Sequence, residues 1–146
     1  MTKVDDTLIQ WKKEFSVSHK AIDEQHQRFI ALINAIHQAI ISGKSSEALI
    51  PTVHAMASYA KEHFEYEEQQ MAQCRYAEIR EHIKEHQAFC SQVAVYVKDL
   101  RHHKEVNPWD VYQYLKFWFT HHILYSDQKY ARYLALSVED LLSSTE

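Results

Sequence analysis

The chain predicts an all-α fold: an up-down-up-down antiparallel four-helix bundle preceded by an N-terminal arm. Three observations lead there. Its 146 residues include one glycine and two prolines, too few breakers for a fold rich in strands and tight turns. Four segments carry apolar residues at helical spacing. The connections between them are short, so consecutive helices must run antiparallel. The length is that of one domain, residues 1–146, with an arm over about 1–20, a body over about 21–136 and a short tail over 137–146.

Each element has its own signal. Trp11, Phe15 and Val17 are the residues of the arm suited to anchor it on the body. From Ala21 the residues Ile22, Phe29, Ile30, Ile33, Ile36 and Ile40 define one helical face, which ends at Ser42-Gly43. Ser45 or Ser46 can cap a second helix that runs to about Gln73. Pro51 fits only a first turn, which moves the expected start toward Ile50. A break at Cys74-Arg75-Tyr76 leads to a third helix, Ala77 to His103. Asn107-Pro108 with Asp110 reads as an N-cap, a proline at the first helical position and a first-turn acid. That fourth helix is expected to reach about Leu136.

Composition narrows the function. Formal charge is −4 and no basic stripe appears, so nucleic acid is not an expected partner. MTKVDDTLIQW lacks the apolar run of a signal peptide, and no stretch is long and apolar enough to span a bilayer. A cytoplasmic protein without membrane insertion, and a monomer, is the expectation. Cys74 and Cys90 match no disulfide framework or zinc knuckle; Cys90, four residues past His86, is expected to be a small buried hydrophobe.

The eleven histidines carry the chemistry. Residues four apart on a helix lie ~40° apart around its axis, so His63 shares a face with Glu67 and His82 with His86. His26 falls on the apolar face of the first helix. His19, His54, His102 and His103 need no functional role, and His37 suits the core or an end of the bundle. In an antiparallel bundle His26, His63/Glu67, His82/His86 and His122/Asp127 come to one level. Neutral imidazoles and two carboxylates buried together without a cation would cost on the order of several kcal/mol. A metal centre removes that cost. Seven ligands exceed one tetrahedral zinc and suit two ions of higher coordination. Imidazole accepts iron, zinc, copper or nickel; the carboxylates favour iron or manganese, with two irons the best fit.

The motifs resemble the bacterial hemerythrins. That family has a lone His on the first helix, H-x3-E on the second, H-x3-H on the third and H-x4-D on the fourth. Here these are His26, HFEYE from His63 to Glu67, HIKEH from His82 to His86, and HILYSD from His122 to Asp127. Trp11, Glu68, Met71, Phe89, Trp118 and Tyr130 extend the match over about residues 11–134. The resemblance implies two iron ions (Fe2+/Fe3+), one held by His82, His86 and His122 and the other by His26 and His63. Glu67 and Asp127 would bridge them beside an oxo or hydroxo group. Dioxygen would bind reversibly at the open position of the two-histidine iron, leaving as hydroperoxide when the iron autoxidises. Phe29, Phe64, Trp118, Phe119 and Tyr130 would form an apolar pocket for it. Five imidazoles and only two carboxylates leave the cluster cationic, which favours binding over C–H attack and a protein that is not an enzyme.

Three roles fit this resemblance: an oxygen carrier or store that delivers to an oxygen-using enzyme, a sensor domain fused to an output domain, or a peroxide- or nitric oxide-scavenging enzyme. The carrier stands first. The chain departs from the family at Val17-Ser18 (usually Val-Gly), at Tyr76-Ala77 (usually Tyr-Pro) and at Phe29 (usually Leu). The H-x4-D spacing also poses a problem. On a regular helix His122 and Asp127 lie ~140° apart. Either Asp127 reaches around, or the helix widens locally toward i→i+5 bonding.

Overall fold

The structure, a computed structural model, describes residues 7–102 and 104–143, with side chains through residue 135. Helices α1 (Lys20–Ile41), α2 (Ser46–Gln73), α3 (Ile79–Arg101) and α4 (Pro108–His121) are followed by a π-helical stretch, His122–Asp127, and α5 (Gln128–Ser143). The last three form one continuous rod, the fourth member of an antiparallel bundle. No strand occurs among the described residues. α1 packs on α2 and α4, and α2 packs on α3.

Capping explains the boundaries. Ser45 Oγ accepts from the Ala48 amide at 3.2 Å, so α2 starts at Ser46 rather than near Ile50. Pro51 therefore lies inside the helix, in its second turn, where one amide hydrogen bond is forgone instead of the whole first turn. Asn107 Oδ1 accepts from Trp109 N at 3.0 Å, with Pro108 opening α4. Gly43, at φ +75°, ends α1, where its amide bonds Ile40 O and that of Lys44 bonds Ala39 O. Arg75 (φ +55°) ends α2 in the same way, through Arg75 N to Ala72 O and Tyr76 N to Met71 O. Ser18 takes a left-handed conformation (φ +56°) at the turn between the arm and α1. Helix α3 starts at Ile79, two residues past the expected Ala77, because 77–78 form a turn. Helical backbone continues to Ser143, so most of the tail expected from 137 is helix.

The arm is fastened by more than its aromatics. Phe15 and Val17 are buried and Trp11 half-buried, and Ile9, which its sequence setting did not single out, is buried as well. Asn34 clamps the Ile9 backbone by accepting from its N–H at 3.0 Å and donating to its carbonyl at 2.8 Å. Asp23 accepts from Val17 N at 2.9 Å and from Ser16 Oγ at 2.6 Å.

Two apolar clusters fill the bundle. The larger includes Phe29, Ile33, Met56, Phe89, Leu115 and Phe119. The smaller comprises Val17, Ile22, Met71, Tyr76 and Tyr130. On α1 His26 falls between Ile22 of the smaller cluster and Phe29 of the larger, and on α2 Glu67 falls between Phe64 of the larger and Met71 of the smaller.

Candidate metal centre

All seven side chains singled out by spacing are buried: His26, His63, Glu67, His82, His86, His122 and Asp127. The structure brings them together. Glu67 Oε1 lies 2.6 Å from His82 Nε2 and 3.2 Å from His86 Nε2. Its other oxygen, Oε2, lies 3.5 Å from His63 Nε2 and 3.9 Å from His26 Nε2. Asp127 divides in the same way. Oδ1 is 3.1 Å from His82 Nε2 and 3.2 Å from His122 Nε2, while Oδ2 is 3.2 Å from His26 Nε2. Each carboxylate thus presents one oxygen to the three-histidine side and one to the two-histidine side. Two groups have donor atoms close enough to share an ion: Glu67, His82, His86 and His122, and His26, His63 and Glu67.

The π-helical stretch spans His122–Asp127, the segment where regular geometry fails. Widening to i→i+5 bonding returns Asp127 to the inner face beside His122. Both residues are buried, whereas Leu124 and Tyr125 between them are exposed.

The outer nitrogens are oriented by Gln25 and Glu85, which motif reading missed, and by Glu68, which the resemblance includes. His63 Nδ1 is 2.7 Å from Gln25 Oε1, His86 Nδ1 2.9 Å from Glu68 Oε2, and His122 Nδ1 2.7 Å from Glu85 Oε2. Ser126 Oγ also donates to Glu85 at 2.5 Å. Such partners set the tautomer that leaves Nε2 free to ligate. A helical wheel could have found Glu85, one place before His86, only if its reach to the fourth helix were known.

The two buried carboxylates and the imidazoles around them shift one another strongly. Burial and the charge of Asp127 oppose ionisation of Glu67, but hydrogen bonds from His122, His82 and His86 outweigh them and hold it well below the usual range. Asp127 is likewise lowered against burial, chiefly by His122. Burial disfavours charge on His82, yet the adjoining carboxylates of Asp127 and Glu67 push it up to about 9. His122 is raised against burial by the same two acids together with Glu85. Burial drives His63 down to about 4, only partly opposed by Glu67. The carboxylates therefore demand positive charge, which protons or metal cations can supply.

Several buried atoms favour the metal. Both nitrogens of His26, Glu67 Oε2 and both Asp127 oxygens have no hydrogen-bond partner. His26 Nε2 and Asp127 Oδ2 approach to 3.2 Å without the alignment of a hydrogen bond. Each such atom costs ~1–3 kcal/mol unless something coordinates it. The donor set of imidazole nitrogens and carboxylate oxygens fits a transition-metal cation.

A family model, the hemerythrin HHE cation binding domain, matches residues 17–134. The chain belongs to the hemerythrin family. Bacteriohemerythrin of Pseudomonas paraeruginosa is 27% identical over 132 residues, covering 90% of this chain and 85% of the relative. That of Stenotrophomonas maltophilia is 27% identical over 124 residues (85% and 80% of the two chains). A hemerythrin-like protein of Naegleria gruberi is 28% identical over 120 residues (82% and 88%). A crystal structure of wild-type hemerythrin shares the fold with a TM-score of 0.81 at 24% identity, covering 88% of this chain and 98% of the other.

Against this frame the expected oxygen pocket divides in two. Phe29 and Phe119 lie near the two-histidine side, with Phe119 5.8 Å from the His26 ring and Phe29 6.1 Å from that of His63. Phe64 stacks flat on His86 at 3.9 Å and also approaches His63 at 5.8 Å. Trp118 belongs to the other side. It lies four residues before His122, on the same helical face, and stacks on that ring at 4.5 Å. Tyr130 sits beyond the π-helical stretch, 6.3 Å from His82 and 5.4 Å from Tyr76.

The remaining expectations divide similarly. Cys90 is exposed, not buried, because Phe89 takes the inward position at that turn. His54 and His102 are exposed, and His103 lies outside the described residues. His37 is buried between the Trp109 and Tyr112 rings, and His19 Nδ1 caps α1 by accepting from Ile22 N at 3.3 Å. Among the described residues no helix is long and apolar enough to cross a membrane.

Proposed function

We propose that this protein binds dioxygen reversibly at a non-haem di-iron centre and serves as an oxygen carrier or store in the cytoplasm. The observation that carries this reading is the split of Glu67 and Asp127, each with one oxygen toward three histidines and the other toward two. In this reading Glu67 and Asp127 would be shared by two iron ions, with an oxo or hydroxo group completing the centre. His82, His86 and His122 then complete six donors on one side, while His26 and His63 leave one position free on the other. Two ferrous ions held there would supply the redox chemistry that reversible dioxygen binding needs.

The chain's own part is to position donors and exclude water. Gln25, Glu68 and Glu85 hold three of the imidazoles from behind. Phe29 and Phe119 keep the two-histidine side dry, which slows proton delivery to the bound oxygen. Neutral imidazoles outnumber carboxylates, so the centre favours binding over oxidation of a substrate, and the protein acts without catalysis.

Anaerobic protein loaded with ferrous iron should hold two irons per chain. It should gain a visible charge-transfer band in oxygen and lose it when oxygen is purged, over repeated cycles. One metal per chain, or a band that never reverses, would overturn the proposal.

A further inference from the structure

A second site lies on the opposite side of α3 from the exposed aromatics of the fourth helix. Between α2 and α3 runs a cleft of about 410 Å³, within the usual size of small-molecule sites. Its lining is apolar along the length: Ala57 from α2, and Phe89, Val93, Ala94 and Val97 from α3. Positions 89, 93 and 97 recur every fourth residue, so they make a continuous strip about 12 Å long. Phe89 closes one end and is itself fully buried.

Cations gather toward the other end. The Glu68–His86 contact fixes the antiparallel register, which sets Ala57 about level with Val97 and His54 about level with Leu100. Lys98, Arg101, His54 and His102 therefore group around one mouth, with Lys61 along the side. None of the described residues lining the cleft is acidic, although the chain as a whole carries a formal charge of −4. Among the described residues no ion pair joins Lys61, Lys98 or Arg101 to an acid. Glu68, whose charge reaches Cys90 at the Phe89 end, is engaged with His86.

We infer that this cleft binds an anionic amphiphile, a free medium-chain carboxylate whose head pairs with Lys98 and Arg101 and whose tail lies along Val97, Ala94 and Ala57, above a floor of buried Val93 and Phe89. Apolar lining along the strip and one-signed charge at the mouth are the two demands such a molecule makes. A neutral lipid would leave the cations unused, and an amphipathic helix of a partner would need a wider face than this narrow cleft offers. The inference is independent of the metal chemistry.

Calorimetric titration of the iron-loaded protein with dodecanoate, below its micellar concentration, tests this. One saturable site is expected. Lys98→Glu combined with Arg101→Glu, both at exposed positions, should weaken it at least tenfold, whereas Lys84→Glu on the same helix outside the cleft should stay within twofold. Ala94→Glu, a carboxylate set along the tail path, should also weaken binding. Dodecylamine should bind at least tenfold more weakly than dodecanoate. Absence of saturable binding, equal affinity for the amine, or indifference to the double reversal would each overturn the proposal. So would retention on anionic phospholipid vesicles through Lys98 and Arg101 without binding of free dodecanoate.

Discussion

Glu85 offers the sharpest test of how the centre is held. Its carboxylate accepts from His122 Nδ1 at 2.7 Å and from Ser126 Oγ at 2.5 Å, and the His122 hydrogen bond, working against burial, keeps its own pKa low. Glu85→Ala removes the group that fixes the His122 tautomer and makes the ring a better donor. Losing such an outer partner typically weakens metal binding ~10–100-fold. The Glu85 side chain is 45% exposed, so water screens part of the interaction and can replace part of it. The low end applies: about tenfold, or ~1.4 kcal/mol of binding free energy. Glu85→Gln keeps an acceptor without the charge and should fall between the two. The measurement is anaerobic competition for ferrous iron against a coloured chelator, with thermal melting of the metal-free proteins to show that folding is intact. Affinity of Glu85→Ala within twofold of wild type would refute the claim that this carboxylate tunes the metal site.

The other predictions concern the centre, its lining and the backbone. Glu67→Ala should lose much of the bound iron, because its two oxygens face both halves of the site, while His54→Ala should keep full iron content by metal analysis. Phe29 is fully buried and packs 4.5 Å from Phe119. Phe29→Ala should cost ~3–5 kcal/mol in chemical denaturation and speed both autoxidation and azide binding. Phe29→Leu keeps more of the volume, and unchanged rates there would reduce Phe29 to a packing residue. Arg75→Gly should relieve the left-handed strain and raise stability by roughly 0.5–1 kcal/mol in the same assay. A loss of stability would show that Arg75 makes compensating contacts.

The legible parts of this molecule were those set by periodicity. Helix count, the break at Cys74-Arg75-Tyr76 and the convergence of His26, His63, His82 and His86 follow from residues three and four apart. The H-x4-D spacing requires either a reaching Asp127 or a widened turn, and the structure has the widened turn. What periodicity could not supply was tertiary reach. Glu85 looks like a solvent-facing residue of α3 until the fourth helix brings His122 Nδ1 to it. The stacking of Trp118 on His122 follows from its i,i+4 relation to that residue rather than from its apolar character. Of the two starts the sequence offers for α2, the Ser45 cap prevails over one near Ile50, because capping outweighs the single hydrogen bond lost at Pro51. Cys90 was placed inward although Phe89 had already claimed that face.

The polar band between the two apolar clusters has a consequence for cooperativity. Val17, Ile22, Met71, Tyr76 and Tyr130 make too small a cluster to stand alone, and on α1 and α2 His26 and Glu67 stand between it and the larger one. With cations in place, the buried histidines and carboxylates of the centre bind all four helices to shared points, and melting at one end must pull on the other. With protons in their place the joint weakens, and the end of the bundle carrying the arm's Val17 becomes free to fray by itself. Metal content thus sets how many steps the chain takes to unfold: one transition when loaded, and two when stripped, with the Tyr76 and Tyr130 surroundings lost first.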